Sequence, residues 1–317
     1  MNTHWMLNTN GDPSGAVHRF LRDLWPAADL RALVVPPAAP GERRLLTDPS
    51  RLDEVDIFQP LMLMNLAKAI PEVLKEYPDG RVGILLRPCE LRALTEMARR
   101  GAFSTDRLLT ICVDCPGTFP EDEFEWRSAR SKSGLTDEAL QFAPQGGIAA
   151  YRYRSACQMC ISPGATEADV NIGVLGLPVH ETLLVDAKDS RVDWARLTGG
   201  PADPALVKRR ESMLAKLTER HTQRRERIIR ELTASLPADV DALLDQFEHC
   251  AACGACMDAC PICSVTRPRP VEGRFRREDV VGWLASCAGC GMCEQSCPQH
   301  LPLNAIFAKV REKVEEA

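Results

Sequence analysis

The sequence predicts an α/β fold: a body containing a parallel sheet, a mixed α+β second part, and a small, mainly helical domain at the C-terminal end. Three observations predict it. Over residues 1–200 short apolar runs alternate with segments of helical periodicity, the pattern of buried strands covered by crossover helices. From residue 145 onward the signals turn β-rich, in "GIAAYRYRS", "ADVNIGVLGL" and "HETLLVDA". Beyond residue 246 the chain becomes dense in cysteine and loses strand patterning.

The elements follow in order. "VHRFLRDL" (17–24) places Val17, Phe20, Leu21 and Leu24 on one helical face. "LRALVVP" reads as a strand. "IFQPLMLMNLAKAIPEVLKEY" reads as helix broken at its prolines. "RVGILL" (81–86) and "LLTICVD" (108–114) are buried strands, and between them "LRALTEMARRG" is a helix stopped by Gly101. Roughly 204–236 is one helix with an apolar residue every three or four positions and dense Arg and Lys between, a solvated connecting helix with a narrow buried stripe. The predicted division is 1–200 for the body, 201–245 for the helical linker and 246–317 for the C-terminal domain.

Composition limits the partners. With 317 residues, 45% hydrophobic, 26% charged and a net charge of −5, nothing implies nucleic acid or a membrane surface. The longest apolar stretch, "IFQPLMLMNLAKAI", is interrupted by Pro60, Asn65 and Lys68 and falls short of the ~20 residues of a membrane helix. The first residues have neither a basic start nor an apolar segment, so a cytoplasmic location is expected. Fourteen cysteines in that setting point to metal ligation rather than disulfides.

Eight of them form a duplicated pattern. "CAACGACMDACP" (250–261) recurs as "CAGCGMCEQSCP" (287–298), with Gly254 matched by Gly291 and Pro261 by Pro298. Each copy is Cys-x2-Cys-x2-Cys-x3-Cys-Pro, the spacing with which bacterial-type ferredoxins hold 4Fe-4S clusters, the fourth cysteine serving the other cluster. The spacing therefore assigns Cys250, Cys253, Cys256 and Cys297 to one cluster, and Cys287, Cys290, Cys293 and Cys260 to a second. The C-terminal domain is thus expected to be a dicluster ferredoxin domain. Zinc favours separated Cys-x2-Cys pairs and suits this triple poorly. Cys263 reads as a buried spare thiol, and His249 and His300 as partly exposed neighbours of the two motifs.

Five cysteines lie in the body. Cys89 falls between a buried strand and a helix, where the helix dipole favours a thiolate. "ICVDCPG" (111–117) follows another strand, and carboxyl ends of parallel strands line the ligand crevice of open α/β sheets. Adding "ACQMC" leaves two four-cysteine sets: Cys89, Cys115, Cys157 and Cys160 for a third 4Fe-4S cluster, or Cys112, Cys115, Cys157 and Cys160 for zinc. Periodicity favours the first set, because Cys112 lies inside an apolar run and Cys115 at its end.

"GAVHRFLRDLWPAADLRALVV", "VGILLRPCELRAL", "LLTICVDCPGTF" and "ACQMCISPGATEADVNIGVLG" fall in the order seen in the β-subunit family of coenzyme F(420)-reducing hydrogenase and deazaflavin-linked formate dehydrogenase, which the chain resembles over most of 15–190. The resemblance implies an α/β body holding FAD and one 4Fe-4S cluster, with Cys89, Cys115, Cys157 and Cys160 as ligands. It also implies an electron-transfer subunit working beside a catalytic partner of formate dehydrogenase-like, hydrogenase-like or heterodisulfide reductase-like type. The sequence departs from a dinucleotide site in having no G-x-G-x-x-G after a strand. Gly173 and Gly176 in "NIGVLG" read as a bulge or tight packing. A flavin-free electron conduit is the alternative function.

Overall fold

Strands buried on both faces read as unbroken apolar runs, and the runs of this chain assemble into one sheet. The computed structural model describes residues 3–40, 42–147, 152–188, 192–193, 196–234, 253–269 and 277–315. In chain order the body comprises β1 (Thr3–Asn8), α1 (Pro13–Ala27), β2 (Leu30–Val34), β3 (Leu45–Leu46), α2 (Ile70–Glu76), β4 (Arg81–Leu86), α3 (Pro88–Arg99), β5 (Leu108–Val113), α4 (Glu121–Ser128), α5 (Leu135–Phe142), α6 (Ser155–Gln158), β6 (Val170–Gly173), β7 (Thr182–Ala187), β8 (Gly200–Pro201) and the long α7 (Pro204–Thr233). The cysteine-rich end adds α8 (Ala255–Ala259), α9 (Arg277–Ala285), α10 (Met292–Gln295) and α11 (Leu303–Glu315).

The strand order is β3-β2-β4-β5-β6-β7-β1-β8. β2, β4, β5 and β6 run parallel, while β3, β7, β1 and β8 pair antiparallel at the two sides. β6 pairs with β5 and β7 with β6, so the β-rich signals after 145, expected as a mixed α+β second part, extend the body's own sheet. β6 is buried at all four positions, as a central strand must be. The segment 57–65, expected to be helical, is not. There Phe58, Leu61 and Met62 are buried in an irregular run, with Leu61 bridging Phe119, and helix begins only at Leu66.

β5 divides the core. Leu109, Ile111 and Val113 face a cluster built with Phe20, Leu21 and Leu24 of α1 and Leu217 of α7. Leu108 and Cys112 face the opposite cluster, with Ile70 and Val73 of α2 and Leu91, Leu94 and Met97 of α3. The period of two along the strand puts Cys112 in the core.

The end of β5 is fixed by Asp114. Its fully buried carboxylate accepts from the backbone N–H of Ala165 (2.7 Å), Val174 (2.8 Å) and Leu175 (2.9 Å), and pairs with Arg210 of α7 at 2.7 Å. Arg210 also donates to Ala165 O at 2.9 Å and lies 3.6 Å from Asp186 on β7. The guanidinium occupies the space left by Gly173, where a Cβ would fall 2.1 Å from Arg210 Nε. At Gly176, which has φ +82°, a Cβ would meet Met213 of α7 at 2.5 Å. The glycines of "NIGVLG" are therefore close-approach positions for a helix crossing the strand end.

Removing one partner of a buried pair leaves the other charge uncompensated. Asp114→Ala should accordingly cost about 3–5 kcal/mol of unfolding free energy, read as a fall in denaturant midpoint.

Candidate functional site

Pro88 opens α3 at the position where its missing N–H costs nothing, which sets Cys89 in the first turn. Glu90, fully buried, accepts from Arg87 N (2.9 Å) and Leu66 N (3.1 Å) and so locks that turn against the 65–69 segment. Cys115 follows Asp114 directly, and its N–H donates to Pro163 O at 2.9 Å, bringing the end of β5 beside the loop after Cys160. That loop is held from α7: Thr218 donates to Ile161 O (3.1 Å), His221 Nδ1 to Cys160 O (2.6 Å) and Arg224 to Gln158 Oε1 (2.8 Å). The narrow stripe expected of this helix thus carries polar clamps as well as Leu217 and Ile229. Burial keeps His221 below its ordinary pKa, which suits a neutral ring donating to a carbonyl.

Electrostatic influence links the thiols of Cys89, Cys115, Cys157 and Cys160 in series. Burial pushes Cys115 up to about 12, with Arg87 opposing and the Cys157 and Cys160 thiols adding to it. Burial likewise raises Cys89 well above the ordinary thiol range, with Glu90, Cys115 and Cys290 reinforcing it. Cys160 is raised by burial and relieved by Arg92. Cys157 Sγ accepts from Thr118 N at 3.4 Å and contacts Thr118 Oγ1 at 3.3 Å. Cys112, with no surface exposed, packs among Leu86, Ala165 and Ala168 rather than facing Cys157 and Cys160.

A second group gathers at the C-terminal end. Cys260, Cys287, Cys290 and Cys293 line one small cavity with Ile262, Leu284 and Phe307. Burial raises Cys290 to about 11 and Cys293 well above its usual range, and in each case the thiols of this group add to the shift. Gly289 N donates to Cys287 Sγ at 3.4 Å. Cys256 and Cys297 share an apolar cluster with Leu284, Leu303 and Phe307, Cys253 is exposed, and Cys250 and His249 lie outside the described residues. Cys263 is buried beside Cys260, whose hydrogen bond lowers its pKa. His300 is exposed at φ 52°.

Both groups suit an anionic cluster of iron and sulfide. They are desolvated soft donors with backbone N–H groups aimed at sulfur, and Arg87, Arg92 and Arg154 surround the body quartet. Among the described residues no three His, Cys, Asp or Glu side chains close around a single metal ion. Thiolates on a cubane stand wider apart than those on one ion.

Residues 246–301 match the 4Fe-4S dicluster domain family. The chain carries a 4Fe-4S dicluster domain. It docks on the body through Ile262 and Ala288, which join the core cluster of α2 and α3, and through Gly291, where a Cβ would fall 2.5 Å from Ala156 Cβ. Arg92 reaches Ala288 O at 3.2 Å and Arg100 reaches Ser286 Oγ at 2.7 Å, while Ser155 bonds Glu294. The resemblance read in the sequence has a counterpart among known proteins. The chain is 24% identical to the F(420)-dependent formate dehydrogenase 1 subunit beta of Methanococcus maripaludis, over 60% of this chain and 57% of the relative. It therefore spans little more than half of that relative's length. Among the described residues no helix is long and apolar enough to cross a membrane.

The sequence reading missed Asp114, Thr118 and Arg154. Asp114 had a signal, a carboxylate closing an apolar strand, whereas Arg154 in "YRYRS" had none without its distant partners.

Gly254 and Gly291 both start short helices at positive φ, +77° and +74°. Gly254 faces only the end of the Arg267 side chain, whereas Gly291 faces Ala156. Gly291→Ala should lower stability by about 1–3 kcal/mol and Gly254→Ala by less. Equal denaturant shifts would mean that the contact with Ala156 carries no weight.

Proposed function

We propose that the chain is the iron-sulfur electron-transfer subunit of an oxidoreductase complex, relaying electrons between a two-electron carrier and a catalytic partner subunit. The observation that carries this reading is the closeness of two quartets of half-buried thiols: Ala156, beside Cys157, meets Gly291, beside Cys290, and Arg154 spans from Cys157 Sγ (3.8 Å) to Gln295 Oε1 (3.0 Å) of the second cysteine motif. Cys89, Cys115, Cys157 and Cys160 would hold a third 4Fe-4S cluster. Cys287, Cys290, Cys293 and Cys260 would hold a second, and Cys250, Cys253, Cys256 and Cys297 the remaining one. The proposed division is a body over 1–200, a linking helix over 201–245 and the dicluster domain over 246–317, in a soluble cytoplasmic protein.

When bound, the clusters supply one-electron storage, and FAD supplies the exchange between electron pairs and single electrons. An open cleft of about 380 Å³ supports the flavin reading, lined by Arg220, Arg224, Arg227, His221, Tyr153 and Cys157. Guanidinium groups suit a pyrophosphate and the tyrosine ring suits a flat heterocycle. The chain's own residues supply the surroundings. Thr118 and Gly289 N–H groups polarise sulfur, and the α7 clamps hold the Cys157–Cys160 loop in place. The relative's printed name supports a formate dehydrogenase-like partner, with hydrogenase-like and heterodisulfide reductase-like subunits as the other candidates. The missing G-x-G-x-x-G favours a second reading, a flavin-free conduit with no substrate of its own.

Metal and flavin counting on anaerobically purified protein separates these readings. About twelve irons, no zinc and about one FAD per chain are expected for three four-iron clusters and a flavin. About eight irons with one zinc would sink the body cluster, and absence of flavin would leave the conduit.

Replacing Cys112 with Ala should leave the iron count unchanged and cost about 1 kcal/mol of stability. Loss of about four irons, one cubane, would make Cys112 the ligand in place of Cys115.

A further inference from the structure

Arg154 is a buried cation that no carboxylate among the described residues pairs with. It is 7% exposed and links the two thiol quartets: Nε donates to Thr118 Oγ1 at 2.8 Å, and Nη1 to Gln295 Oε1 at 3.0 Å and Met292 Sδ at 3.6 Å. Nη2 meets Met62 Sδ at 3.1 Å and Cys157 Sγ at 3.8 Å. Its partners are a hydroxyl, an amide oxygen and three sulfurs, all neutral except Cys157 when it serves as the cluster ligand proposed above. Two of these partners, Met292 and Gln295, flank Cys293 in the second cysteine motif, and Cys157 belongs to the body quartet. A guanidinium stays charged, so burying it here demands a counter-charge that no carboxylate among the described residues provides.

We infer that Arg154 is the counter-cation shared by the body quartet and the Cys260, Cys287, Cys290 and Cys293 quartet, a positioning residue that raises the reduction potentials of both clusters. The inference rests on the cluster reading above. A four-thiolate cubane is an anion and gains one further negative charge when it takes up an electron, the donor losing that same electron and no proton moving. A fixed positive charge between two such groups stabilises each reduced form more than its oxidised form. Because the charge is shared, an electron moving from one cluster to the other stays beside it.

The test is a redox titration followed by electron paramagnetic resonance on anaerobically purified wild type, R154Q and R154K, with iron counted in each. Expected are unchanged iron and two of three midpoints shifted to lower potential in R154Q, with R154K near wild type. Full iron with unmoved midpoints in R154Q overturns the inference, as does an equal shift in R154K. Should R154Q not fold or not hold iron, Q295E tests the same charge in place: a carboxylate beside Nη1 must lower the same two midpoints, and unmoved midpoints overturn the inference. Wild-type protein lacking the body cluster would instead refute the cluster reading itself.

Discussion

The buried ion pair between Asp114 and Arg210 is the constraint on which the rest of the molecule depends. Two desolvated charges are stable only if every remaining donor and acceptor is used, and here they are shared with Ala165, Val174 and Leu175. Those bonds join the end of β5, the loop after Cys160 and the turn after β6 at one point. They also fix the height of α7 along the sheet, since Arg210 reaches Asp114 only through the space above Gly173. With α7 so placed, Thr218, His221 and Arg224 fall opposite the Cys157–Cys160 loop. One carboxylate next to Cys115 thus determines where three of the four body thiols stand.

The dicluster domain is joined to this frame by packing as well as by chain. Ile262 and Ala288 complete the apolar cluster of α2 and α3, and Arg92 and Arg154 cross from the body to the second cysteine motif. Such contacts make the closeness of the two thiol quartets a property of the folded core.

Much of this was legible. β4 and β5 read as strands because central parallel strands are apolar at nearly every position, and the duplicated cysteine pattern identified its domain from spacing alone. The placement of Cys112 inside an apolar run and Cys115 at its end followed from the same periodicity. β1 escaped notice because "THWMLN" mixes polar and apolar residues and owes its conformation to β7, nearly the whole body away in sequence. The irregular run at 57–65 has helical spacing but Pro60 within it, and its residues bury themselves against Phe119 instead. Arg154 and Arg210 resembled any other surface arginine, because what makes them special is the identity of residues far along the chain.

The duplicated motif ends in unequal surroundings. One copy, around Gly254, has Cys253 open to solvent and only an arginine tip across from its glycine. The other, around Gly291, is pressed against Ala156 with Cys293 buried. Twin sequences have therefore diverged in exposure rather than in cysteine pattern. Since solvent access tunes the energy of charge on sulfur-bound metal, clusters held as proposed would sit in unequal surroundings without a change in a single cysteine.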